Sequence, residues 1–113
     1  MFSDSLHRRY PKSSIKAGWI FVSVASYRDS RCTDTIADMF AKARNPHRLT
    51  VGLCQQNAPG DPDTITDTVL EGYSRNIKVI RMGHDEARGP TWARWKCSHL
   101  WDGEEYFLQI DAH

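Results

Sequence analysis

The chain has 113 residues, of which 40% are hydrophobic and 26% are charged, a composition typical of one soluble globular domain. Fifteen Lys and Arg against fourteen Asp and Glu leave a net charge of +1, which is too little to neutralise a phosphate backbone, so no nucleic-acid partner is expected. The longest uninterrupted apolar run covers residues 19–22, whereas a membrane-spanning helix needs about 20 apolar residues, so no membrane span is expected.

Residues 1–18 are polar and basic, and they contain no hydrophobic segment of the kind found in secretory signals. We interpret 1–18 as a loose N-terminal arm and expect a cytoplasmic location. The cysteines Cys32, Cys54 and Cys97 are odd in number and form no C-x-x-C pair, so neither a disulfide framework nor a zinc site is expected. The pattern predicts reduced, partly buried thiols.

The hydrophobic pattern of the following segment predicts a strand, a helix and a second strand. The apolar and β-branched run 19–25 predicts a strand that is buried on both faces, as in a parallel sheet. A helix follows, with Thr33 as its expected N-cap and apolar residues at helical spacing, and it ends before Pro46. Residues 49–54 predict the second strand, which completes a βαβ unit.

The rest of the chain continues the alternation of strands and helices. Residues 58–68 are rich in Pro, Gly and Asp and predict a loop, which a weak helix at 69–73 follows. A third strand is predicted at 77–82 and a fourth at 106–110. Between them a helix is expected to begin at Pro90, because proline suits the first helical position. Its buried stripe is expected to consist of Ala93, Cys97 and Leu100.

Polar residues follow the end of every predicted strand. Because ligands of open α/β sheets bind beyond the carboxyl ends of the strands, these residues are expected to share one edge. The helix that begins at Pro90 adds unbonded N–H groups, and Arg88 and Arg94 flank its start, which favours a bound phosphate. In chain order the polar residues are Ser26, Tyr27, Arg28 and Asp29; Gln55 and Gln56; Arg81, His84 and Asp85; and Asp111 and His113.

Asp111 and His113 alternate at the tip of the fourth predicted strand. One carboxylate oxygen and one imidazole nitrogen there suit a divalent metal cofactor such as Mn²⁺ or Mg²⁺, with diphosphate oxygens and water as the remaining ligands. An isolated D-x-H pair is by itself weak evidence for a metal site. The neighbours Arg28 and Asp29 are equally compatible with a surface ion pair, and His84 with an ordinary loop residue.

Four segments carry a resemblance to known enzymes: 20–29 (IFVSVASYRD), 51–56 (VGLCQQ), 87–94 (ARGPTWAR) and 106–113 (YFLQIDAH). In this order they resemble the hydroxyproline N-acetylglucosaminyltransferase (GlcNAc) family of GT-A-type glycosyltransferases. The resemblance implies an α/β, GT-A-like and Rossmann-like fold with a mostly parallel sheet and flanking helices. It also implies a cytoplasmic enzyme that transfers GlcNAc from UDP-GlcNAc to a hydroxyproline on a ubiquitin-ligase adaptor.

The resemblance assigns roles to individual residues. Arg94 would face the nucleotide sugar, and Asp111 and His113 would replace the D-x-D metal motif. The family has serine more often at the position of Ala112, but the middle side chain of a strand tip points away from the metal, so this change is expected to matter little. The uridine would be bordered by Ser26, Tyr27, Arg28 and Asp29.

The chain is expected to be incomplete, because the family places its acceptor site and further catalytic residues after the D-x-D position. In addition, two helices are too few for four parallel strands, so one sheet face is expected to stay bare. The predicted organisation is an arm at 1–18 and a truncated, N-terminal nucleotide-sugar-binding part at 19–113, with no catalytic residue assigned.

Two alternatives stay open. One is an inactive nucleotide-binding fragment, which would hold a donor without transferring its sugar. The other is a metallophosphoesterase, in which a D-x-H motif also follows a strand. Chain order speaks against the phosphoesterase, because that motif normally follows the first strand of its domain, whereas here it follows the fourth.

Overall fold

The structure is a computed structural model that describes residues 15–61 and 72–113. The predicted helix at 69–73 falls mostly outside these residues, as does most of the predicted N-terminal arm. The described part contains the strands β1 (Lys16–Tyr27), β2 (Leu49–Asn57), β3 (Ile77–Gly83) and β4 (Glu104–Asp111) and the helices α1 (Cys32–Lys42) and α2 (Pro90–Ser98).

The four strands form one parallel sheet with the order β3-β2-β1-β4. The chain places β2 and then β3 on one side of β1, and it crosses to the other side of β1 for β4. This confirms the predicted α/β, Rossmann-like fold. The order of strands reverses between β1 and β4. In open α/β sheets ligands bind at such a reversal, beyond the carboxyl ends of the strands, and we call this region the crevice.

Helix α1 covers one face of the sheet. Its buried side chains Ile36 and Phe40 pack against Val22 and Val24 of β1 and Leu53 of β2. These strand residues alternate along each strand, as side chains on one face of a sheet must. The apolar stripe of α1 therefore has the partner that its helical spacing predicts.

Helix α2 covers the opposite face. Ala93 and Cys97 of α2 pack with Cys54 of β2, and all three are fully buried. The ring of Phe21 lies over Gly52 on β2, where an added Cβ would come within 2.4 Å of the ring. Since real Cβ atoms essentially never show such short contacts, any larger residue at position 52 would force the Phe21 ring to shift.

Each face of the sheet thus carries one described helix, and the predicted bare face is wrong. The connection that contains α1 leads to one side of β1, and the connection that contains α2 leads to the other side. Because such crossovers have the same hand, the two helices lie on opposite faces of the sheet. Exposed apolar area lies instead on the edge strand β4, where Tyr106 and Leu108 are half-exposed. No helix of the described part is long and apolar enough to cross a membrane.

The start of α1 differs from the prediction. The helix begins at Cys32 after Arg31, so Thr33 lies inside the first turn and is not the N-cap. Asp29 takes part of that role, because its carboxylate accepts a hydrogen bond from the Arg31 N–H at 2.9 Å. Strand β1 also differs from the prediction, because it begins at Lys16, three residues before its predicted start at residue 19.

Candidate functional site

The carboxyl ends of β1 and β4 lie side by side, with Ala25 in register with Asp111. Just beyond them, Nδ1 of His113 donates a hydrogen bond to a carboxylate oxygen of Asp29 at 2.8 Å. These two residues are 84 positions apart in the sequence. The hydrogen bond therefore spans the crevice at which the strand order reverses.

Arg94 brings a second charged group to the same place. It lies in the second turn of α2, and its guanidinium is 3.6 Å from a carboxylate oxygen of Asp111. The two side chains are 41% and 67% exposed, so water screens the attraction between them. Neither charge is locked in place, and both are accessible to a charged ligand.

Arg28 follows β1 with a positive φ of 49°, a conformation that costs energy for any residue except glycine. Its main-chain N–H donates to the carbonyl of Gln56, and its guanidinium donates two hydrogen bonds of 3.1 Å to Asp61. The alternative interpretation, a surface ion pair between the neighbours Arg28 and Asp29, is therefore wrong. Arg28 pairs with Asp61, and Asp29 with His113.

A cavity of about 510 Å³ opens between the carboxyl ends of β1 and β2 and the start of α2. The amide of Gln56 forms part of its wall and is held by a hydrogen bond of 3.1 Å to the carbonyl of Ser26. The ring of Tyr27 is 55% exposed at its rim. The residues that line the cavity include Ala25, Tyr27, Gln56, His84, Gly89 and Pro90.

His84, which is among the residues that line this cavity, contains a buried polar atom without a partner in the part of the chain that the structure describes. Its Nδ1 atom is buried and has no hydrogen-bond partner among the described residues. A buried polar atom without a partner costs free energy, and because this atom is closed to solvent, a ligand could bond to it only after a local rearrangement. Gly89, which also lines the cavity, has a φ of 94°, and the space where its Cβ would lie is open.

Other predicted site residues lie apart from this crevice. The Ser26 side chain is fully buried, and its carbonyl accepts the hydrogen bond from the Gln56 amide. Arg88 lies over the ring of Trp92 at 5.6 Å, beside a separate cavity of about 320 Å³. Arg81 donates a hydrogen bond of 3.3 Å to Gln55. Arg81 and Arg88 therefore lie on the neighbouring surface formed by β3 and α2.

The sequence did not single out the cavity formed by Gln56 and His84. Gln56 was one of several polar residues after strands, and His84 resembled a loop residue. The available signal was the pair Gly89-Pro90, since a helix that starts beyond a parallel sheet leaves a recess beneath its first turn. Which side chains would line that recess depends on the path of the chain after β3.

Two carboxyl groups at this end of the sheet have lowered pKa values. The Arg31 N–H and, to a lesser degree, His113 lower the pKa of Asp29. The Arg28 guanidinium and the Ala58 N–H lower that of Asp61. Hydrogen bonds to an ionised carboxylate favour the charged form, so both groups are negatively charged at neutral pH.

A family model described as Glycosyltransferase (GlcNAc) matches residues 19–74 and 69–113. The chain belongs to this glycosyltransferase family. The match includes all the residues of the crevice and of the cavity described above. No curated protein and no solved structure matches the chain.

A divalent metal ion is implied for this glycosyltransferase by its resemblance to D-x-D enzymes, and the chemistry of the donor set fits such an ion. Asp111 offers a carboxylate that is 67% exposed, and His113 offers its Nε2 atom, since Nδ1 already bonds to Asp29. A carboxylate and an imidazole suit Mn²⁺ or Mg²⁺. No cluster of three or more ligating side chains occurs in 15–61 or 72–113, so other ligands would have to come from the substrate and water.

Proposed function

We propose that this glycosyltransferase moves GlcNAc from UDP-GlcNAc to a hydroxyl acceptor, in a reaction that depends on a divalent metal ion. The observation that carries the proposal is the meeting of Asp29, His113, Arg94 and Asp111 where the strand order reverses. A protein hydroxyproline is the acceptor that the resemblance implies. The family match supports a sugar donor and an acceptor in general.

The cavity beside β1 suits the nucleobase of the donor. Tyr27 offers an exposed ring against which a flat base can stack, and Gln56 and His84 are among the residues that line the cavity. Uracil carries one N–H donor and two carbonyl acceptors, which an amide and an imidazole can pair with. The cavity of about 510 Å³ has room for a nucleoside.

The diphosphate would lie between this cavity and the tip of β4. The start of α2 contributes main-chain N–H groups and the positive end of its dipole, and Arg94 contributes a guanidinium. Arg94 would leave its long contact with Asp111 for the phosphate oxygens, with which it can form two parallel hydrogen bonds. Arg88, beside Trp92, adds positive charge at the rim of this surface.

Departure of UDP leaves negative charge on its β-phosphate. Arg94 stabilises this charge more in the transition state than in the substrate, which is the condition for faster reaction. Asp111 and His113 would hold the metal ion, which supplies Lewis-acid stabilisation of the leaving diphosphate when bound. Tyr27 and Gln56 bind the base throughout and fix the position of the sugar.

The proposal is tested by calorimetric titration of UDP into the full chain, with and without Mn²⁺. We expect Mn²⁺ to strengthen UDP binding in the wild type, and Asp111→Asn to remove most of this effect. Asp102→Asn is the matched control, because Asp102 is a similarly exposed carboxylate at the opposite end of the sheet. Equal UDP binding by Asp111→Asn and the wild type in Mn²⁺ would contradict the role of Asp111.

The two alternatives make different predictions in the same samples. An inactive nucleotide-binding chain would bind UDP with Mn²⁺ but release no GlcNAc from UDP-GlcNAc to any hydroxyl acceptor. A metallophosphoesterase would hydrolyse a phosphate monoester instead. The family match favours glycosyl transfer over phosphoester hydrolysis.

A further inference from the structure

Asp29 uses both of its carboxylate oxygens in the structure. Oδ1 accepts a hydrogen bond from the Arg31 N–H at 2.9 Å, and Oδ2 accepts one from Nδ1 of His113 at 2.8 Å. The first bond belongs to the turn that starts α1, because the Asp29 carbonyl also accepts a hydrogen bond from the Cys32 N–H. The carboxylate is therefore fixed by the helix start and reaches His113 from a defined position.

The hydrogen bond determines which nitrogen of His113 carries the hydrogen. An ionised carboxylate can only accept, so the hydrogen must lie on Nδ1. In the neutral ring, Nε2 then has the free lone pair. The His113 side chain is 61% exposed, so packing does little to hold the ring, whereas Asp29 is only 21% exposed and well anchored.

From these contacts we infer that Asp29 is a positioning residue, which holds His113 with Nε2 free to bind a divalent cation. The inference rests on the proposed function, because it concerns the same metal site. It differs from the resemblance, which places Asp29 beside the uridine. A carboxylate behind a ligating histidine fixes the ring and makes it a better electron donor, and loss of such a group typically weakens metal binding about 10–100-fold.

Asp29→Asn tests the inference in the full chain. The amide oxygen of asparagine can still accept from the Arg31 N–H, so the start of α1 is kept. The amide NH₂ group then faces His113 and can only donate, which moves the ring hydrogen from Nδ1 to Nε2. Asp34→Asn is the matched control, because Asp34 is an exposed carboxylate in the first turn of the same helix.

Two readouts are measured on each protein. The first is the pair of ¹⁵N chemical shifts of the His113 ring without metal, assigned by their loss in His113→Gln. The second is the affinity for Mn²⁺ in the presence of UDP, from the signal of free Mn²⁺ in electron paramagnetic resonance. We expect hydrogen on Nδ1 in the wild type and on Nε2 in Asp29→Asn, with Mn²⁺ affinity about 10–100-fold lower in the variant.

Wild-type signals that place the hydrogen on Nε2 would overturn the inference, and so would unchanged Mn²⁺ affinity in Asp29→Asn. The wild-type ring signals need no variant, so a poorly folded Asp29→Asn protein leaves the test intact. Failure of the proposed function has a different signature. In that case the wild type itself would bind neither UDP nor Mn²⁺, while its ring signals would still show whether Asp29 orients His113.

Discussion

The two ends of the sheet use polar side chains in different ways. At the amino end, Lys16 and Asp102 form an exposed ion pair, but the buried side chains bond to the main chain: Trp101 donates to the carbonyl of Glu104, and one oxygen of the buried Glu104 carboxylate accepts from the Asp102 N–H. Lys78 likewise donates to the carbonyl of Leu100. These bonds satisfy groups that folding removes from water and so contribute to stability, although Oε2 of Glu104 is buried with no hydrogen-bond partner among the described residues.

At the carboxyl end, charged side chains bond to other charged side chains. The pairs are Asp29 with His113, Arg94 with Asp111, and Arg28 with Asp61. In each pair at least one side chain is more than 40% exposed, so the net stabilisation from each is small. Such pairs can exchange partners with a charged ligand at little cost. We therefore expect the amino end to contribute mainly to stability and the carboxyl end to bind the charged ligand.

The largest expected effect comes from Trp101→Ala at the amino end. Trp101 is 5% exposed, and truncation of a buried aromatic residue typically costs about 3–5 kcal/mol of unfolding free energy. Urea unfolding measures this loss, and Trp95→Ala, at a 50% exposed residue, should lose far less. At a temperature where Trp101→Ala remains folded, we expect wild-type UDP affinity; a weakened affinity would contradict the division between the two ends.

A smaller effect is expected from Arg94→Ala at the carboxyl end. Hydrogen bonds to a charged group are worth about 1.5–3 kcal/mol, so UDP affinity should fall about tenfold or more. Arg94→Lys should recover part of it, since lysine keeps the charge and loses the two parallel hydrogen bonds. Titration calorimetry measures the affinity. The stability should change by less than about 1 kcal/mol, because the contact with Asp111 is exposed.

Arg75→Ala is the control for that experiment, because Arg75 is exposed in the short turn Ser74–Asn76 before β3. Its UDP affinity should equal that of the wild type. Equal losses in the two variants would mean that UDP responds to total positive charge, and the specific role of Arg94 would be wrong.

The smallest expected effect is a loss of folding stability at acidic pH. The pKa values of Asp29 and Asp61 are lowered in the folded chain, so the unfolded chain binds more protons as the pH falls. Their contribution to stability is complete above the unfolded pKa of about 3.9 and is lost as the pH falls through the folded values. Thermal unfolding between pH 6 and pH 2 should show Asp61→Asn losing less stability than the wild type; parallel curves would contradict this.

The sequence predicted most of the fold, because apolar runs and the Gly89-Pro90 start report local structure directly. It also predicted which residues lie at the carboxyl edge, since a parallel sheet brings strand ends together. The pairs within the site were not predictable. Arg28 and Asp61 are 33 positions apart, and Asp29 and His113 are 84 apart. Such partners depend on strand order and on loop paths, which local patterns do not encode.

The dependence on strand order and loop paths also explains why the N-cap of α1 and the bare face of the sheet were predicted wrongly. Thr33 has the residue type of an N-cap, but the turn formed by Asp29 starts the helix at Cys32. The faces on which α1 and α2 lie follow from the side of β1 to which each crossover leads, and neither helix's own sequence contains that information.

The most direct test of the division between the two ends is a titration of the ¹⁵N-labelled full chain with UDP and Mg²⁺, followed by amide chemical shifts. The account predicts that the largest changes lie at 26–29, 88–94 and 111–113, at the carboxyl ends of β1 and β4 and the start of α2. Residues 16–18 and 101–105, at the amino end, should keep their shifts. Changes concentrated at 16–18 and 101–105, or no change at the carboxyl end, would contradict it.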